Sequence, residues 1–274
     1  MYNHNIGVDS MIFCFKLTKG LYFGLIVPVS ALMIFVLPFF VHEPSVFFIG
    51  AILVHYIGLC LLQRLAVKKY TERNKVLDKK CDSASYLAWQ QEMSSKNLKG
   101  AYKILVEINL ATAYYYCGDF RQLKYTLDAI DVVRMKGKVE SYLYSYYRLW
   151  FLYYVVLGNI TEAEKVMEVI DTLPVPENVE AKKYSDYIVV NGHLTLECRK
   201  GEVPYIEEKL RYMRLSDELL SIVCEKNFLG KYYLRNGMRD KARECFEFVA
   251  EHGNTLFIAK AAKEILEENL NKEN

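Results

Sequence analysis

Two uncharged apolar runs follow each other near the start of the chain, and they constrain its fold more than any other feature. No charged residue lies between Lys19 and Glu43, and none lies between Glu43 and Arg64. A helix needs roughly 20 apolar residues to cross about 30 Å of hydrocarbon. The sequence therefore predicts a transmembrane helical hairpin over residues 21–65, with spans at 21–41 and 46–65.

A cleaved signal peptide is the main alternative for the first run. The run is longer than the apolar part of a signal peptide, has no clear small-x-small cleavage site, and leads directly into a second apolar run. We therefore expect both runs to remain in the mature protein as membrane spans.

The positions of lysine and arginine predict the orientation of this hairpin. Lys16 and Lys19 precede the first run, the turn at 42–45 contains no basic residue, and a basic cluster follows the second run. Because basic flanks stay on the cytoplasmic side, both termini are expected in the cytoplasm. The sequence thus predicts an integral membrane protein of two spans in a bacterial plasma membrane, with residues 1–20 as a cytoplasmic N-terminal segment.

A basic collar follows the second run. Residues 64–80 contain seven Lys or Arg and two Asp or Glu, a net charge of +5 in a chain whose total is +2. We interpret residues 66–98 as a basic juxtamembrane helical linker, in which each basic side chain gains about 1 kcal/mol beside an anionic leaflet. The alternative is that these charges only fix the topology. The candidate lipid contacts are Arg64, Lys68, Lys69, Arg73 and Lys75.

Nucleic acid is not an expected partner. A net charge of +2 is low for a nucleic-acid-binding chain, and the collar lacks the interleaved aromatic residues that stack on bases.

Four similar segments occur in the rest of the chain, residues 99–274, which we expect to form one helical repeat domain. Each has an apolar helical pattern, a short turn with glycine, and a second amphipathic helical pattern. The segments begin at Leu110, Trp150, His193 and Leu229, and their turn glycines are Gly118, Gly158, Gly201 and Gly237. An all-α fold is therefore expected.

The pattern resembles the tetratricopeptide-repeat family. The fourth segment carries it best, with Leu229-Gly230, Tyr233, Gly237, Ala242 and Phe246. The turn glycines are 40, 43 and 36 residues apart, all more than the 34-residue period of the family. The resemblance implies an α-solenoid of about four helix pairs, capped by a final helix after Asn254.

The turns also predict local structure. Each turn glycine is expected to end its first helix in a left-handed conformation, which costs glycine nothing. Asp119 and Asn159 follow two of these glycines and are expected to cap the next helix. Ala163 and Ala242 are expected to let the paired helices cross closely, and most of the 22 tyrosines are expected in the core.

No catalytic motif, metal-binding motif or phosphate-binding glycine loop occurs in the sequence. We therefore expect a non-enzymatic protein with no catalytic residues, no cofactor and no metal. His193 and Glu197 lie one turn apart, and a structural contact is favoured over part of a metal site. The seven cysteines are scattered and are expected to be reduced thiols.

The resemblance implies a concave groove lined by the first helix of each pair. Positions one turn apart on these helices place amide, cationic and aromatic side chains on its surface, which suits a carboxylate or an acidic peptide. The alternative is an ordinary solvated helix face. The nine candidate groove residues are Tyr115, Tyr116, Arg148, Asn191, Thr195, Arg199, Asn227, Lys231 and Arg235.

These observations lead to one main hypothesis and two alternatives. The main hypothesis is a membrane-anchored adaptor or scaffold that displays the repeat domain on the cytoplasmic face and binds a protein or peptide, with membrane lipid as a second partner. The first alternative is a membrane enzyme or transport accessory subunit that uses the intramembrane His55. The second is a peptide-sensing regulator, although no DNA-binding helix-turn-helix pattern precedes the repeats.

Overall fold

The computed structural model describes residues 20–36, 44–96, 98–132, 140–201, 203–214 and 216–270. Within these residues every regular element is a helix, which confirms the all-α prediction. Among the helices of this part of the chain, none combines the length and the apolar character needed to cross a membrane.

The described residues contain twelve α-helices and two short π-helical turns, at Tyr22–Ile26 and Leu266–Leu270. In chain order they are α1 (Val27–Val36), α2 (Pro44–Lys80), α3 (Ser83–Ser94), α4 (Gly100–Cys117), α5 (Phe120–Ala129), α6 (Glu140–Val156), α7 (Ile160–Asp171), α8 (Val179–Lys200), α9 (Ile206–Met213), α10 (Leu219–Arg235), α11 (Arg239–His252) and α12 (Phe257–Ile265).

The chain divides into two compact units. The first comprises Met1–Arg73 and Lys96–Tyr102, and the second comprises Asn74–Ser95 and Lys103–Asn274. One boundary between the units falls inside α2. This helix contains both the second predicted span and the collar.

The linker expected at 66–98 is divided by this boundary, because residues 74–95 belong to the second unit. The hydrogen bonds of Asn74 explain why residues 74–95 belong to the second unit rather than to a linker. The Asn74 Oδ1 atom accepts hydrogen bonds from Trp89 Nε1 at 3.2 Å and from Gln90 Nε2 at 2.8 Å. These bonds tie α3 to the last turns of α2, although the charge pattern of the sequence suggested only a linker.

In the first unit, α1 and the preceding π-helical turn contact α2. Gly58 allows a close approach, since a Cβ atom at this position would lie 2.9 Å from Ile26 Cδ1. His55 Nδ1 lies 3.4 Å from the Ser30 hydroxyl, and its ring meets the Tyr22 ring edge-on at 6.0 Å. The imidazole is thus placed against the neighbouring helix.

Several predictions for this region fall outside the described residues. These are the flanking lysines Lys16 and Lys19, the end of the first span at 37–41, and the turn residues His42 and Glu43.

In the second unit, three of the four predicted turns have the expected geometry. Gly118, Gly158 and Gly237 have φ values of 78°, 75° and 74°. In each turn the amide of the next residue donates to a carbonyl five positions back, as from Asp119 N to Tyr114 O at 3.0 Å. These bonds satisfy carbonyls at the end of the first helix, and the left-handed prediction is confirmed at these positions.

The prediction for Gly201 is wrong. This residue is extended, with φ 165° and ψ −162°, and the left-handed conformation occurs instead at Tyr205 with φ 56°. The third segment therefore reaches its second helix, α9, by a longer connection than the other three turns.

The predicted caps and the two small core residues are confirmed, whereas the expectation for the tyrosines is met only in part, since seven of the 21 described tyrosines are buried. Asp119 Oδ1 accepts from Gln122 N at 3.0 Å, and Asn159 Oδ1 accepts from Glu162 N at 3.4 Å. The small residues Ala163 and Ala242 are fully buried. At Gly230 the missing side chain makes room for the Phe246 ring, which is also fully buried.

The last helix, α12, does more than cover the end of the chain. It packs against α11, and its Phe257 also contacts the first helix pair, where the ring lies 5.5 Å from Tyr115 and 5.3 Å from Phe120. One hydrophobic cluster consequently includes residues of α4 together with residues of α8, α10, α11 and α12.

Candidate functional site

One cavity of about 270 Å³ brings together all nine residues of the predicted groove. Its wall is formed mainly by α4, α6, α8 and α10, with Leu210 of α9, Arg214, and Phe257 and Ile258 from the start of α12. The helical register predicted from the sequence thus places these side chains around a common space within the second unit.

Sequence reasoning missed other residues of this wall, including Tyr187, Cys224 and Phe257. The first two carried a usable signal. Tyr187 lies one turn before Asn191, and Cys224 lies one turn before Asn227, so the same register extended towards the helix start includes both. Phe257 had no such signal, because it comes from a helix outside the four pairs.

A deep part of the cavity surrounds Arg148 with aromatic side chains. Its guanidinium carbon lies 5.9 Å from the centre of the Tyr187 ring, a cation–π contact, and the buried Tyr116 lines the same space. Within the described residues no carboxylate pairs with Arg148. An enclosed cation without a counter-ion is costly, and an anion from a ligand would relieve this cost.

Three further cations, Arg199, Lys231 and Arg235, form what we call the cation cluster. Arg199 Nη2 donates to Val155 O at 3.0 Å, and Arg235 Nη1 donates to Cys198 O at 2.8 Å. Both carbonyls lie in the last turn of a helix, α6 and α8, where basic side chains commonly satisfy free carbonyls. The two arginines are therefore held in place by neighbouring helix ends.

Lys231 differs from these arginines, because no described residue makes an ion pair or hydrogen bond with its ammonium group. Partial removal from water lowers the pKa of Lys231, and the positive charges of Arg199 and Arg235 lower it further. Water still reaches the Lys231 side chain inside the cavity, which keeps the group accessible to a ligand.

The carboxylates around the cavity do not balance these charges. Among its described lining residues only Glu225 is acidic, and Arg214 already pairs with it at 2.7 Å. Arg148 and the cation cluster consequently retain four positive charges without an acidic partner among these residues.

The hydroxyl of Thr195 already has a hydrogen-bond partner, whereas the side-chain oxygen of Asn227 has none among the residues that the structure describes. Thr195 Oγ1 donates to Asn191 O at 2.7 Å, so the hydroxyl predicted to face a ligand is engaged in its own helix. Asn227 Oδ1 is buried and has no hydrogen-bond donor within the described residues. A buried acceptor without a donor costs about 1–3 kcal/mol, which a ligand N–H would recover.

The thiol of Cys224 lies in the same enclosed space. Burial raises the pKa of Cys224 to about 11, although the positive charge of Arg148 opposes this effect. The group is therefore a protonated thiol at neutral pH rather than an activated nucleophile.

The candidate lipid contacts lie along α2. Arg64, Lys68, Lys69 and Arg73 are exposed, whereas Lys75 is half-buried. Lys75 belongs to the second unit and the other four belong to the first.

His193 forms a structural contact, as expected, but with a different partner. Its Nε2 atom lies 3.0 Å from Asp171 Oδ1 at the end of α7. No group of three potential metal ligands occurs among the described residues. All six cysteines in this part of the chain are free thiols.

Comparison with protein-family models, with characterised proteins and with solved structures finds no match for this chain. The tetratricopeptide resemblance consequently rests on the helix pairs and turns described above.

Proposed function

We propose that this protein is a membrane-anchored adaptor that binds an acidic protein or peptide segment in the cavity of a tetratricopeptide-like helical domain. The observation that carries the proposal is the cavity itself. On α6, α8 and α10 it places four cations and one amide oxygen that have no acidic partner and no hydrogen-bond donor, respectively, among the described residues.

A peptide supplies the groups that this surface lacks. Acidic side chains or a terminal carboxylate can pair with the cations by charge-assisted hydrogen bonds. A backbone N–H can donate to Asn227 Oδ1, a buried oxygen that has no donor among the described residues. The rings of Tyr115, Tyr187 and Phe228 offer apolar contact for neighbouring side chains.

A non-catalytic role fits the state of the thiol on the cavity wall. Because Cys224 is protonated at neutral pH, it is a poor nucleophile in this setting. Binding, rather than covalent chemistry, is what these side chains are arranged to perform.

The membrane anchor is supported by the surface of the first unit. Its helices expose apolar side chains to a degree that is unusual in a soluble domain and suits contact with lipid. These exposed side chains are Leu21, Phe23, Val27, Val29, Leu32, Ile49, Ile52, Leu53, Tyr56, Ile57, Leu61, Leu65 and Val67.

The exposed basic residues of α2 extend this proposal. They follow the apolar part of the same helix directly, which suits contact with anionic headgroups. Both termini would then lie on the cytoplasmic side, where such lipids are concentrated. The repeat domain and its cavity would face cytoplasmic partners.

The binding role is tested with the full chain in lipid nanodiscs. Fluorescent pools of short degenerate peptides, one rich in Asp and Glu and one rich in Lys, are titrated against wild type and against the double variant Lys231→Glu, Arg235→Glu. We expect the acidic pool to bind wild type and to lose about tenfold or more in affinity with the variant.

A matched control is the double variant Lys182→Glu, Lys183→Glu. Both lysines are exposed on α8 and lie outside the cavity, so the net charge changes equally while the site stays intact. Equal binding to both double variants would contradict the proposal, and so would equal binding of both peptide pools to wild type.

A further inference from the structure

The cation cluster differs in its electrostatics from a site for one carboxylate. Arg199 comes from the last turn of α8, while Lys231 and Arg235 lie one turn apart on α10. Burial lowers the pKa of Arg199 and of Lys231, and the positive charges of their neighbours in the cluster lower it further, so the three groups are close enough to act on one another. All three cations line the same cavity, where their charges repel one another.

Two of these cations are already oriented. Each arginine uses one N–H to reach a helix-end carbonyl, at Val155 O or Cys198 O, and a guanidinium group has five N–H donors. The carbonyl contacts restrict the positions of the guanidinium groups, so less conformational freedom is lost when a ligand binds.

The charge balance favours a dianion. A helix C-terminus carries about half a negative charge, so the two helix ends offset about one of the three positive charges. Close to two positive charges remain, and a single carboxylate would neutralise only half of this excess. A phosphoryl group carries about −1.5 to −2 at neutral pH and presents three strong acceptor oxygens.

We propose that Arg199, Lys231 and Arg235 bind a phosphoryl group, with one terminal oxygen facing each cation. This inference rests on the proposed function, because it assumes that the cavity binds a ligand. The phosphoryl group belongs either to a phosphorylated side chain of the bound peptide or to a free phosphorylated small molecule. Both present the same group to the cluster.

The test uses three degenerate peptide pools that differ only at the central residue, which is serine, glutamate or phosphoserine. Each is titrated against the full chain in nanodiscs, together with free phosphoserine and inorganic phosphate. We expect the phosphoserine pool to bind about tenfold or more tightly than the glutamate pool, because the dianion makes charge-assisted contacts to all three cations.

Two further measurements identify the cluster as the cause. Lys231→Gln should weaken phosphoserine binding about tenfold, whereas Lys183→Gln, outside the cavity, should leave it unchanged. Because the second phosphate pKa is about 6, binding of the phosphoserine pool should weaken between pH 7.5 and 5.5. Binding of the glutamate pool should stay nearly constant over this range.

Each outcome separates this inference from the proposed function. Equal affinity for the glutamate and phosphoserine pools, both above serine, overturns the phosphoryl site and leaves the acidic-peptide adaptor standing. No preference for either over serine overturns both. If free phosphoserine binds as tightly as the phosphoserine pool, the phosphoryl site is supported and its source is a small molecule.

Discussion

At the scale of single residues, Gly118 and Gly158 occupy the same position in successive turns but have different surroundings. Both have a positive φ that disfavours a side chain. A Cβ atom at position 118 would lie 2.8 Å from Phe257 Cβ, whereas at position 158 nothing lies within 4 Å. The two glycines thus separate the cost of backbone conformation from the cost of packing.

We expect Gly158→Ala to lower the free energy of unfolding by about 1–2 kcal/mol, from the left-handed conformation alone. Gly118→Ala should cost a further ~1–3 kcal/mol, because the new methyl group displaces Phe257. The measurement is thermal unfolding of the full chain in detergent, followed by tryptophan fluorescence. Trp89 and Trp150, the two tryptophans of the chain, both lie in the second unit and report on it selectively.

Equal losses of unfolding free energy for the two substitutions would show that Phe257 of α12 does not limit the space at Gly118. Gly237→Ala serves as a second reference, since this glycine has a φ of 74° and open space around it.

The sequence predicted much of this residue-scale detail because glycine turns and caps depend on local chemistry. The left-handed glycines at 118, 158 and 237 and the caps at Asp119 and Asn159 required only the neighbouring residues. Gly201 departed from the pattern because its conformation depends on the longer connection to α9, and the residues of the third segment gave no indication of that path.

At the scale of helices, α3 begins with a cap that titrates. Asp82 Oδ1 accepts from Ser85 N at 3.0 Å, and it also lies 3.3 Å from Thr255 Oγ1. The hydrogen bonds to Ser85 hold the pKa of the Asp82 carboxyl below its usual value. The cap therefore stabilises the second unit above the unfolded-state pKa of about 4, and this contribution is lost as the pH falls through the folded-state value.

We expect Asp82→Ala to cost about 1 kcal/mol at pH 7 and less at pH 3, because wild type loses this contribution as the pH falls towards the folded-state pKa. Asp82→Asn should remain near wild type at pH 7, because the amide oxygen can still accept. The control is Asn159→Ala at the start of α7, where the cap does not titrate and the cost should not depend on pH. Tryptophan-monitored unfolding at the two pH values measures all three variants, and a pH-independent cost for Asp82→Ala would contradict this account.

Helix pairs were predictable because each is encoded by a local pattern of apolar spacing and a glycine turn. The role of α3 was not, since its attachment depends on Asn74, a single polar residue inside a strongly basic stretch. Net charge describes the collar as a whole and gives no sign of which turns of α2 belong to the second unit.

At the scale of the second unit as a whole, the turn before α12 is joined to the end of α2 and the start of α3. Ser83 Oγ donates to Thr255 O at 2.8 Å, Ala84 N donates to Thr255 Oγ1 at 3.2 Å, and Asn254 Nδ2 donates to Lys80 O at 3.0 Å. These partners are more than 170 residues apart in the chain.

This junction explains why the site was only partly predictable. The nine groove residues followed from the register of four helices, which the sequence shows directly. The contribution of Phe257 and Ile258 follows from the return of α12 to the first helix pair, a contact between distant segments that no local pattern encodes.

The junction leads to a prediction about the second unit as a whole. Thr255→Val keeps the shape of the side chain and removes the hydroxyl that meets Ser83 and Ala84, at a cost of about 1 kcal/mol. If these contacts join the two ends, amide hydrogen exchange should accelerate in both α3 and α12, although the substitution lies in the turn before α12. Thr172→Val removes a hydroxyl that bonds only locally, to Val169 O at 2.8 Å, and should accelerate exchange at the end of α7 alone. Faster exchange confined to α12 in Thr255→Val would show that the ends of the second unit open independently.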